Sequence, residues 1–215
     1  MNYFCGWYFK CQSPEHTLAM IPAVHTSGGK RTCSIQLISD EGNWAATLPC
    51  QRPRMEKDKP CAVLDGSVFR EDGIHLSVHT PSLTAEGAVY FGPPTAIRYD
   101  IMGPFRYVPF MECRHSVFSM RHRVDGKITV NGTEYCFADA VGYIEGDRGR
   151  SFPRRYAWTQ CCFPEGSLML SVAEIPLGPV RFTGVIGVVW LGEKEYRLAT
   201  YLGARTVKIQ GGEIV

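Results

Sequence analysis

The sequence predicts an all-β protein, either a barrel or a sandwich. Short apolar runs rich in Val, Ile, Phe and Tyr recur along the 215 residues, and closely spaced turn signals separate them, which is typical of that fold class. Several runs alternate apolar and polar residues with period two, as in 74–79, and no segment keeps a helical period over three turns. Asp125-Gly126 and Asn131-Gly132 each separate alternating runs and predict a β-hairpin.

Glycine and proline divide the chain into the expected strands. An aromatic stretch at 3–11 comes first, and two apolar runs, 19–26 and 31–39, follow it. Ser27-Gly28-Gly29-Lys30 predicts a turn between those two runs. Residues 49–60 contain three prolines among charged side chains and are expected to form an exposed loop. The remaining strands are expected at 62–69, 74–79, 83–91, 96–101, 115–124, 127–130, 133–138, 156–163, 167–175, 180–190, 195–201 and 205–209.

The composition indicates a folded protein that does not bind nucleic acid. Apolar residues make up 45% of the chain and charged residues 20%, as in globular domains. The net charge is +2, and the 23 basic and 21 acidic residues are interspersed, whereas a nucleic-acid interface needs a one-sided basic surface. The composition does not indicate an oligomeric state.

The sequence predicts a soluble, cytoplasmic protein without stable membrane insertion. Residues 1–10 lack the basic segment and plain apolar run of a signal peptide. The longest apolar stretch, 182–191, is about half as long as a membrane-spanning helix and contains two glycines.

The cysteines and histidines predict no metal. Nine cysteines form an odd set without a Cys-x-x-Cys pair, so we expect free thiols, most of them small core residues, and no zinc ribbon. His75 and His79 share one face of a strand. Because no third ligand has a recognisable spacing, a solvated strand face explains this pair.

One stretch, residues 143–161, combines charged, aromatic and glycine residues more densely than an ordinary loop. Glu145 and Asp147 are two residues apart and share a face if the strand continues through Gly146. Small polar groups held between aromatic strands are typical of an active site or a ligand site. The alternative is a surface connection in which both carboxylates pair with the neighbouring arginines.

This stretch and the segments before it resemble the tocopherol cyclase family. The resemblance runs in order over nearly the whole chain, and it implies a lipocalin-like pair of β units, residues 1–140 and 141–215. The second unit is expected to be incomplete, because family members continue beyond the equivalent of Val215. Lipocalin-like carotenoid hydratases are more distantly similar. The segments that carry the resemblance are Gly6-Trp7-Tyr8-Phe9-Lys10, residues 103–112, Val130-Asn131-Gly132-Thr133, residues 142–149 and residues 152–161.

The resemblance implies an acid-catalysed ring closure that needs no cofactor. An acid protonates the alkene of a prenylated phenol or related isoprenoid, and the phenol oxygen attacks the tertiary cation to form a chroman ring. The acid must be neutral, which desolvation or a second carboxylate favours by raising its pKa. Asp147 is the first candidate for this acid and Glu145 the second.

The other site residues follow from the needs of the cation and of the polar head group. Aromatic faces stabilise a cation and exclude water, and the candidates for this wall are Tyr143, Tyr156, Trp158, Trp7 and Phe9. Arg148 stands where plant cyclases carry a Trp, and we expect it to bind an acidic head group.

Two other functions fit the same residues. A carrier would hold an isoprenoid or lipid without converting it, with Arg148 and Arg150 at the polar end of the ligand. A hydratase would protonate the same alkene and let water trap the cation. The partner expected in all three cases is a small hydrophobic ligand.

Overall fold

The large sheet contains most of the chain. The computed structural model describes residues 2–109, 111–177, 180–210 and 213–214. The antiparallel order of the strands in this sheet is β4-β3-β2-β1-β11-β10-β9-β8-β7-β6-β5. Its strands are β1 (Tyr3–Gln12), β2 (Thr17–Ser27), β3 (Lys30–Ser39), β4 (Asn43–Leu48), β5 (Arg54–Met55), β6 (Ala62–Leu64), β7 (Ser67–Arg70), β8 (Gly73–Thr80), β9 (Leu83–Phe91), β10 (Cys113–Val130) and β11 (Thr133–Gly149).

A second, four-stranded antiparallel sheet follows in the order β12-β13-β14-β15. Its strands are β12 (Tyr156–Phe163), β13 (Gly166–Leu177), β14 (Val180–Leu191) and β15 (Lys194–Ala199), and a short hairpin of β16 (Ile209–Gln210) and β17 (Glu213–Ile214) comes after it. Among the described residues the only helices are two short 3-10 turns, Gly103–Tyr107 and Thr200–Leu202. The expected all-β fold is confirmed. None of the helices in the described residues is long and apolar enough to cross a membrane.

The buried apolar residues form two clusters, one in the core of the large sheet and one at the contact between the two sheets. Trp7, Phe9 and Phe69 belong to the first cluster, which lies on one face of the large sheet. The second cluster joins β10 and β11 to the small sheet. Its buried members are Ile101, Met102, Val117, Met120, Tyr143, Met169 and Val188.

A buried ion pair attaches the segment before β10 to the small sheet, and it explains why the strand expected at 96–101 is wrong. The side chains of Arg197 and Glu195 are 6% and 2% exposed and lie 2.6 Å apart. Arg197 donates to the carbonyls of Tyr99 and Asp100, and Glu195 accepts from the backbone N–H of Arg98. These backbone groups are bonded to side chains, so they are not available to a neighbouring strand.

The hairpin predicted at Asn131-Gly132 is confirmed, and the one at Asp125-Gly126 is wrong. Asn131 and Gly132 have φ angles of 49° and 91°, as a two-residue hairpin turn requires. Asp125-Gly126 lies inside β10, where the pairing register with β11 shifts between Val124 and Gly126. A Cβ at residue 126 would lie 2.3 Å from the carbonyl oxygen of Ala88, so this glycine permits a bulge and a close approach of β9. The strand expected at 205–209 is also wrong, because among its residues only Ile209 is in a strand.

The expectation that all cysteines are free thiols is wrong. Cys33 and Cys50 form a disulfide that joins β3 to the segment after β4, and the other seven cysteines are free. Their spacing of 17 residues carries no recognisable signal, since pairing depends on how β3 and β4 fold back on each other. Disulfides are uncommon in a reducing compartment, and the cytoplasmic location stays a prediction.

The predicted boundary between two units, after residue 140, falls inside β11. The change from the large sheet to the small one lies between Gly149 and Tyr156. The division into units 1–140 and 141–215 stays a prediction.

Candidate functional site

Strand pairing places the acidic face of β11 beside residues of both neighbouring strands, β1 and β10. Glu145 is the partner of Tyr8 on β1, and Asp147 is the partner of Gly6 on β1 and of His115 on β10. Because directly paired residues in an antiparallel sheet lie on the same face, these side chains all project from one side of the large sheet. The small sheet covers that side.

Glu145 is a buried carboxylate that accepts hydrogen bonds from two aromatic side chains. Its side chain is 6% exposed. The hydroxyl of Tyr143 donates to its Oε2 at 2.6 Å, and the indole N–H of Trp158 donates to the same oxygen at 3.2 Å. Burial, followed by the nearby charge of Glu145, raises the pKa of Tyr143 well above its ordinary value. Tyr143 is therefore a permanent donor to this carboxylate.

His115 lies between the two carboxylates. Its Nδ1 is 3.0 Å from Oδ1 of Asp147 and its Nε2 is 3.3 Å from Oε2 of Glu145. The first contact is a hydrogen bond, whereas the second lacks hydrogen-bond alignment and is an ion-pair contact. Burial alone would lower the pKa of His115, but Asp147 and then Glu145 outweigh it, and the pKa lies well above its ordinary value. His115 is accordingly an imidazolium shared by two carboxylates.

Cys113 completes the polar cluster. Its thiol donates to Oδ1 of Asp147 at 3.4 Å. Burial, followed by the charge of Asp147, raises the pKa of this thiol, so Cys113 is a donor to the carboxylate and not a thiolate nucleophile.

The cluster opens into a mostly apolar cavity of about 450 Å³ between the two sheets. This volume is within the range of small-molecule sites. Aromatic, Met and aliphatic side chains from both sheets form its walls, and Tyr8 and Trp158 stand edge to face with ring centroids 5.3 Å apart. The carboxylates of Glu145 and Asp147 are thus the acidic groups of a largely hydrophobic chamber. Its lining also includes Phe4, Ile21, Ala23, Met102, Phe105, Met111, Phe152, Tyr156, Ile175, Phe182 and Ile186.

Four of the predicted site residues besides the carboxylates are in or next to this chamber. Trp158 and Tyr156 line it, and Tyr143 bonds to Glu145 beneath it. Trp7 also touches the lining, but its ring packs on Gly146 and its indole N–H donates to the carbonyl of Glu56.

Phe9 and Arg148 are not in the lining of the chamber. Phe9 is fully buried in the core on the other face of the large sheet, against Phe69 and Phe91. The guanidinium of Arg148 lies 3.0 Å from Asp58 and donates to the carbonyl of Lys57. Because Arg148 and Asp147 are successive strand residues, their side chains leave opposite faces of the sheet.

The sequence patterns did not indicate His115, Tyr8 or Cys113. Period two places Tyr8 on one face of β1 and Trp7 and Phe9 on the other. The sequence therefore offered two alternative faces, and the prediction of Trp7 and Phe9 selected the one that does not carry Tyr8. His115 carried no such signal. Uninterrupted pairing from the Asn131-Gly132 turn would place Ser116 opposite Asp147, and three register shifts in β10 bring His115 there instead.

His115, Glu145 and Asp147 are also the only group within the described residues whose ligand atoms could hold a metal ion. Those atoms lie within 4.8 Å of one another. The imidazolium of His115 already contacts both carboxylates, and a metal would have to displace its proton. The expectation of a site without a metal stays a prediction.

Comparison with solved structures shows relatives of the fold at low identity. A candidate AttH protein (NE1406) from Nitrosomonas europaea is 10% identical with a TM-score of 0.53, over 92% of this chain and 68% of that one. Kievitone hydratase from Nectria haematococca is 9% identical with a TM-score of 0.51, over 92% of this chain and 64% of that one. This chain therefore spans about two thirds of the length of both structures.

The family comparison is more direct. No curated protein matches the chain. The model of the family described as tocopherol cyclase-like matches residues 70–190, a region that contains β10, β11 and β12 and with them His115, Glu145, Asp147 and Trp158. The chain belongs to the tocopherol cyclase-like family.

Proposed function

We propose that this protein closes a chroman ring on a prenylated phenol or related isoprenoid, using one proton held by the His115, Glu145 and Asp147 cluster. The observation that carries the proposal is the position of this cluster in the wall of an apolar cavity. A cavity of this kind takes a hydrophobic substrate, and the cluster supplies the only chemistry that an isolated alkene needs, which is a proton.

Asp147 is the proposed proton donor. Oε2 of Glu145 already accepts two hydrogen bonds and cannot carry the proton that is given away. His115 and Cys113 both contact Oδ1 of Asp147, which leaves Oδ2 as the oxygen to face the substrate. Asp147 is also the more accessible carboxylate, with a side chain 24% exposed against 6% for Glu145.

The charge of the cluster changes in the direction that the reaction needs. The reactive form that we propose binds one further proton, on Asp147. With His115 charged, Asp147 protonated and Glu145 ionised, the cluster then has no net charge. Transfer of the Asp147 proton to the alkene leaves one net negative charge beside a tertiary cation, so the two attract each other in a dry cavity. The rings of Tyr8 and Trp158 stabilise the cation through their faces. The phenol oxygen then attacks, its proton returns to Asp147, and the product is an isomer of the substrate.

The test is turnover of a prenylated hydroquinone followed by mass spectrometry. A cyclase gives a ring-closed product of unchanged mass, and in deuterated water the product carries one deuterium from the acid. Asp147→Asn should lower turnover by about 10²–10⁴-fold, the usual contribution of a general acid, while ligand binding remains. Asp139→Asn is the matched control, because Asp139 is 83% exposed and should have no effect.

Two outcomes would replace the proposal. Incorporation of oxygen from labelled water would identify a hydratase, in which water traps the cation. Recovery of the ligand unchanged from both wild type and Asp147→Asn would identify a carrier.

A further inference from the structure

The mouth of the cavity carries exposed aromatic rings. Phe152 and Tyr156 line the cavity and are 46% and 55% exposed. Phe152 stacks on Phe4 at 4.6 Å and on Tyr156 at 5.9 Å between ring centroids, so a row of rings leads from the cavity wall to the surface. Exposed rings that continue an internal cavity are more typical of an interaction site than single exposed apolar residues.

The same segment is strongly basic. Between Asp147 and Glu165 the chain contains four arginines and no acidic residue. Arg148 is paired with Asp58. Arg154 and Arg155 lie between Phe152 and Tyr156 in the chain, are exposed, and make no ion pair within the described part of the chain.

The neighbouring turn adds two more cations at the same end of the large sheet. Phe4 on β1 pairs with His25 on β2, and Arg31 and Lys30 of β3 lie one and two pairs beyond His25 towards the β2–β3 turn. Both side chains are exposed. Exposed basic side chains therefore lie on two strand connections at this end of the large sheet, the β2–β3 turn and the segment between β11 and β12.

We propose that this mouth, formed by Phe152, Tyr156, Arg154 and Arg155, docks on the surface of an anionic lipid bilayer. Arginine heads lie at the level of anionic lipid head groups, and amphipathic rings such as that of Tyr156 lie at the boundary between head groups and acyl chains. Their combination at one opening matches the layered chemistry of a bilayer surface. A protein partner would more often require acidic groups that complement the arginines with defined geometry.

Docking would let a hydrophobic ligand enter the cavity without crossing water. This role goes beyond the ring closure, and it rests on the proposed function only in requiring that the ligand be hydrophobic. It also differs from membrane insertion, because the contacts are made by one loop and the start of β12.

The test is flotation of the purified protein with vesicles of phosphatidylcholine, alone or mixed with phosphatidylglycerol. Wild type should float with the anionic vesicles and weakly or not at all with the neutral ones. Replacing Arg154 and Arg155 by Gln should weaken binding by about fivefold for each arginine, from the attraction that one basic side chain feels at such a surface. The double substitution by Lys should retain binding, because it keeps the charge. Phe152→Ser with Tyr156→Ser should weaken binding even at low salt.

The control variants remove two arginines or two aromatic rings at exposed positions outside the mouth. Arg70→Gln with Arg98→Gln, and Tyr90→Ser with Tyr196→Ser, alter exposed residues and should leave flotation unchanged. Asp147→Asn should float as wild type does, which separates docking from catalysis. Failure of the wild type to float with anionic vesicles would overturn the proposal, as would equal losses in the control variants. Loss of binding in the Lys variant would also overturn it, in favour of a protein partner that reads guanidinium geometry.

Discussion

The two faces of the ladder between β1 and β11 have opposite chemistry. On one face Trp7 and Phe9 pair with Gly146 and Ile144, and all but the glycine belong to the large sheet's apolar core. On the other face Tyr8 is the partner of Glu145, whose carboxylate holds Tyr143, Trp158 and His115. One strand pair therefore has two roles. The odd-numbered residues of β1 pack in the core and stabilise the fold, and the even-numbered residues of β1 face the candidate site.

The two faces therefore respond differently to substitution. The core face is held by apolar burial and dispersion, so truncation leaves a cavity. The site face is held by ionised and hydrogen-bonded groups that satisfy one another, so removal of one member leaves its partners without compensation. Four predictions test this difference, from the largest expected effect to the smallest.

Phe9→Ala should lower the free energy of unfolding by about 3–5 kcal/mol, the usual cost of removing a buried phenyl ring. Chemical denaturation measures this loss. Tyr90→Ala is the control, because Tyr90 is 68% exposed and its replacement should change stability by less than about 0.5 kcal/mol. Ligand affinity of folded Phe9→Ala should remain near that of wild type. A large loss of affinity would mean that the two faces are not independent.

His115→Gln should cost about 3 kcal/mol below pH 6.5, because it leaves two carboxylates facing each other without a cation. The pKa of His115 is raised in the folded protein, so its contribution is fully present below the unfolded pKa of about 6.5 and is lost as pH rises through the folded pKa. Denaturation at a series of pH values should show wild type losing stability over that window. His115→Gln should lack this loss, and His75→Gln, at an exposed position, should retain it. Equal pH profiles for wild type and His115→Gln would contradict the imidazolium assignment.

Tyr143→Phe should cost about 1.5–3 kcal/mol, as expected for a hydrogen bond to a charged group. The lost bond is the 2.6 Å contact with Glu145. Thermal or chemical denaturation measures the cost. Tyr135→Phe provides a buried tyrosine for comparison, whose hydroxyl lies 3.0 Å from Ser39 and donates to Glu41 over the longer distance of 3.4 Å. A cost for Tyr143→Phe no greater than that of Tyr135→Phe would contradict a special contribution of the short bond to Glu145.

Trp158→Phe should cost about 1 kcal/mol, because it removes the longer, 3.2 Å hydrogen bond to Glu145 from a half-buried ring. Its effect on turnover should exceed its effect on stability, since Trp158 lines the cavity. Turnover and the free energy of unfolding are both measured and compared. Trp44→Phe is the matched variant, because Trp44 is a partly buried ring packed against the core cluster of the other face. Unchanged turnover in Trp158→Phe would show that neither the indole N–H nor the larger ring of Trp158 contributes to turnover.

Much of the fold followed from local patterns. The strand expected at 156–163 is β12 with the same bounds, and the alternation of 74–79 in β8 alternates in burial as well. The common face of Glu145 and Asp147 also followed from period two, because β11 continues to Gly149. That these two carboxylates act as acids remains a prediction.

Other features depended on contacts far apart in the chain. The segment 96–101 has strand-like residues, yet the buried pair of Arg197 and Glu195 binds its backbone. The disulfide between Cys33 and Cys50 depends on the return of the chain through β4. In both contacts the two partners lie in different segments of the chain, so no local sequence pattern indicates that they meet.

The sequence by itself determined which residues of β11 share a face, since successive side chains of a strand point to opposite sides whatever the strand pairs with. Only the tertiary structure decided which residue of β10 faces them. Because of three register shifts between Val130 and His115, Asp147 pairs with His115 and not with Ser116. A register slip of one residue moves every side chain beyond it to the other face of the sheet. Side-chain alternation is a property of the backbone of one strand, whereas register is set by bulges and by packing between strands, and the cluster of His115, Glu145 and Asp147 depends on both.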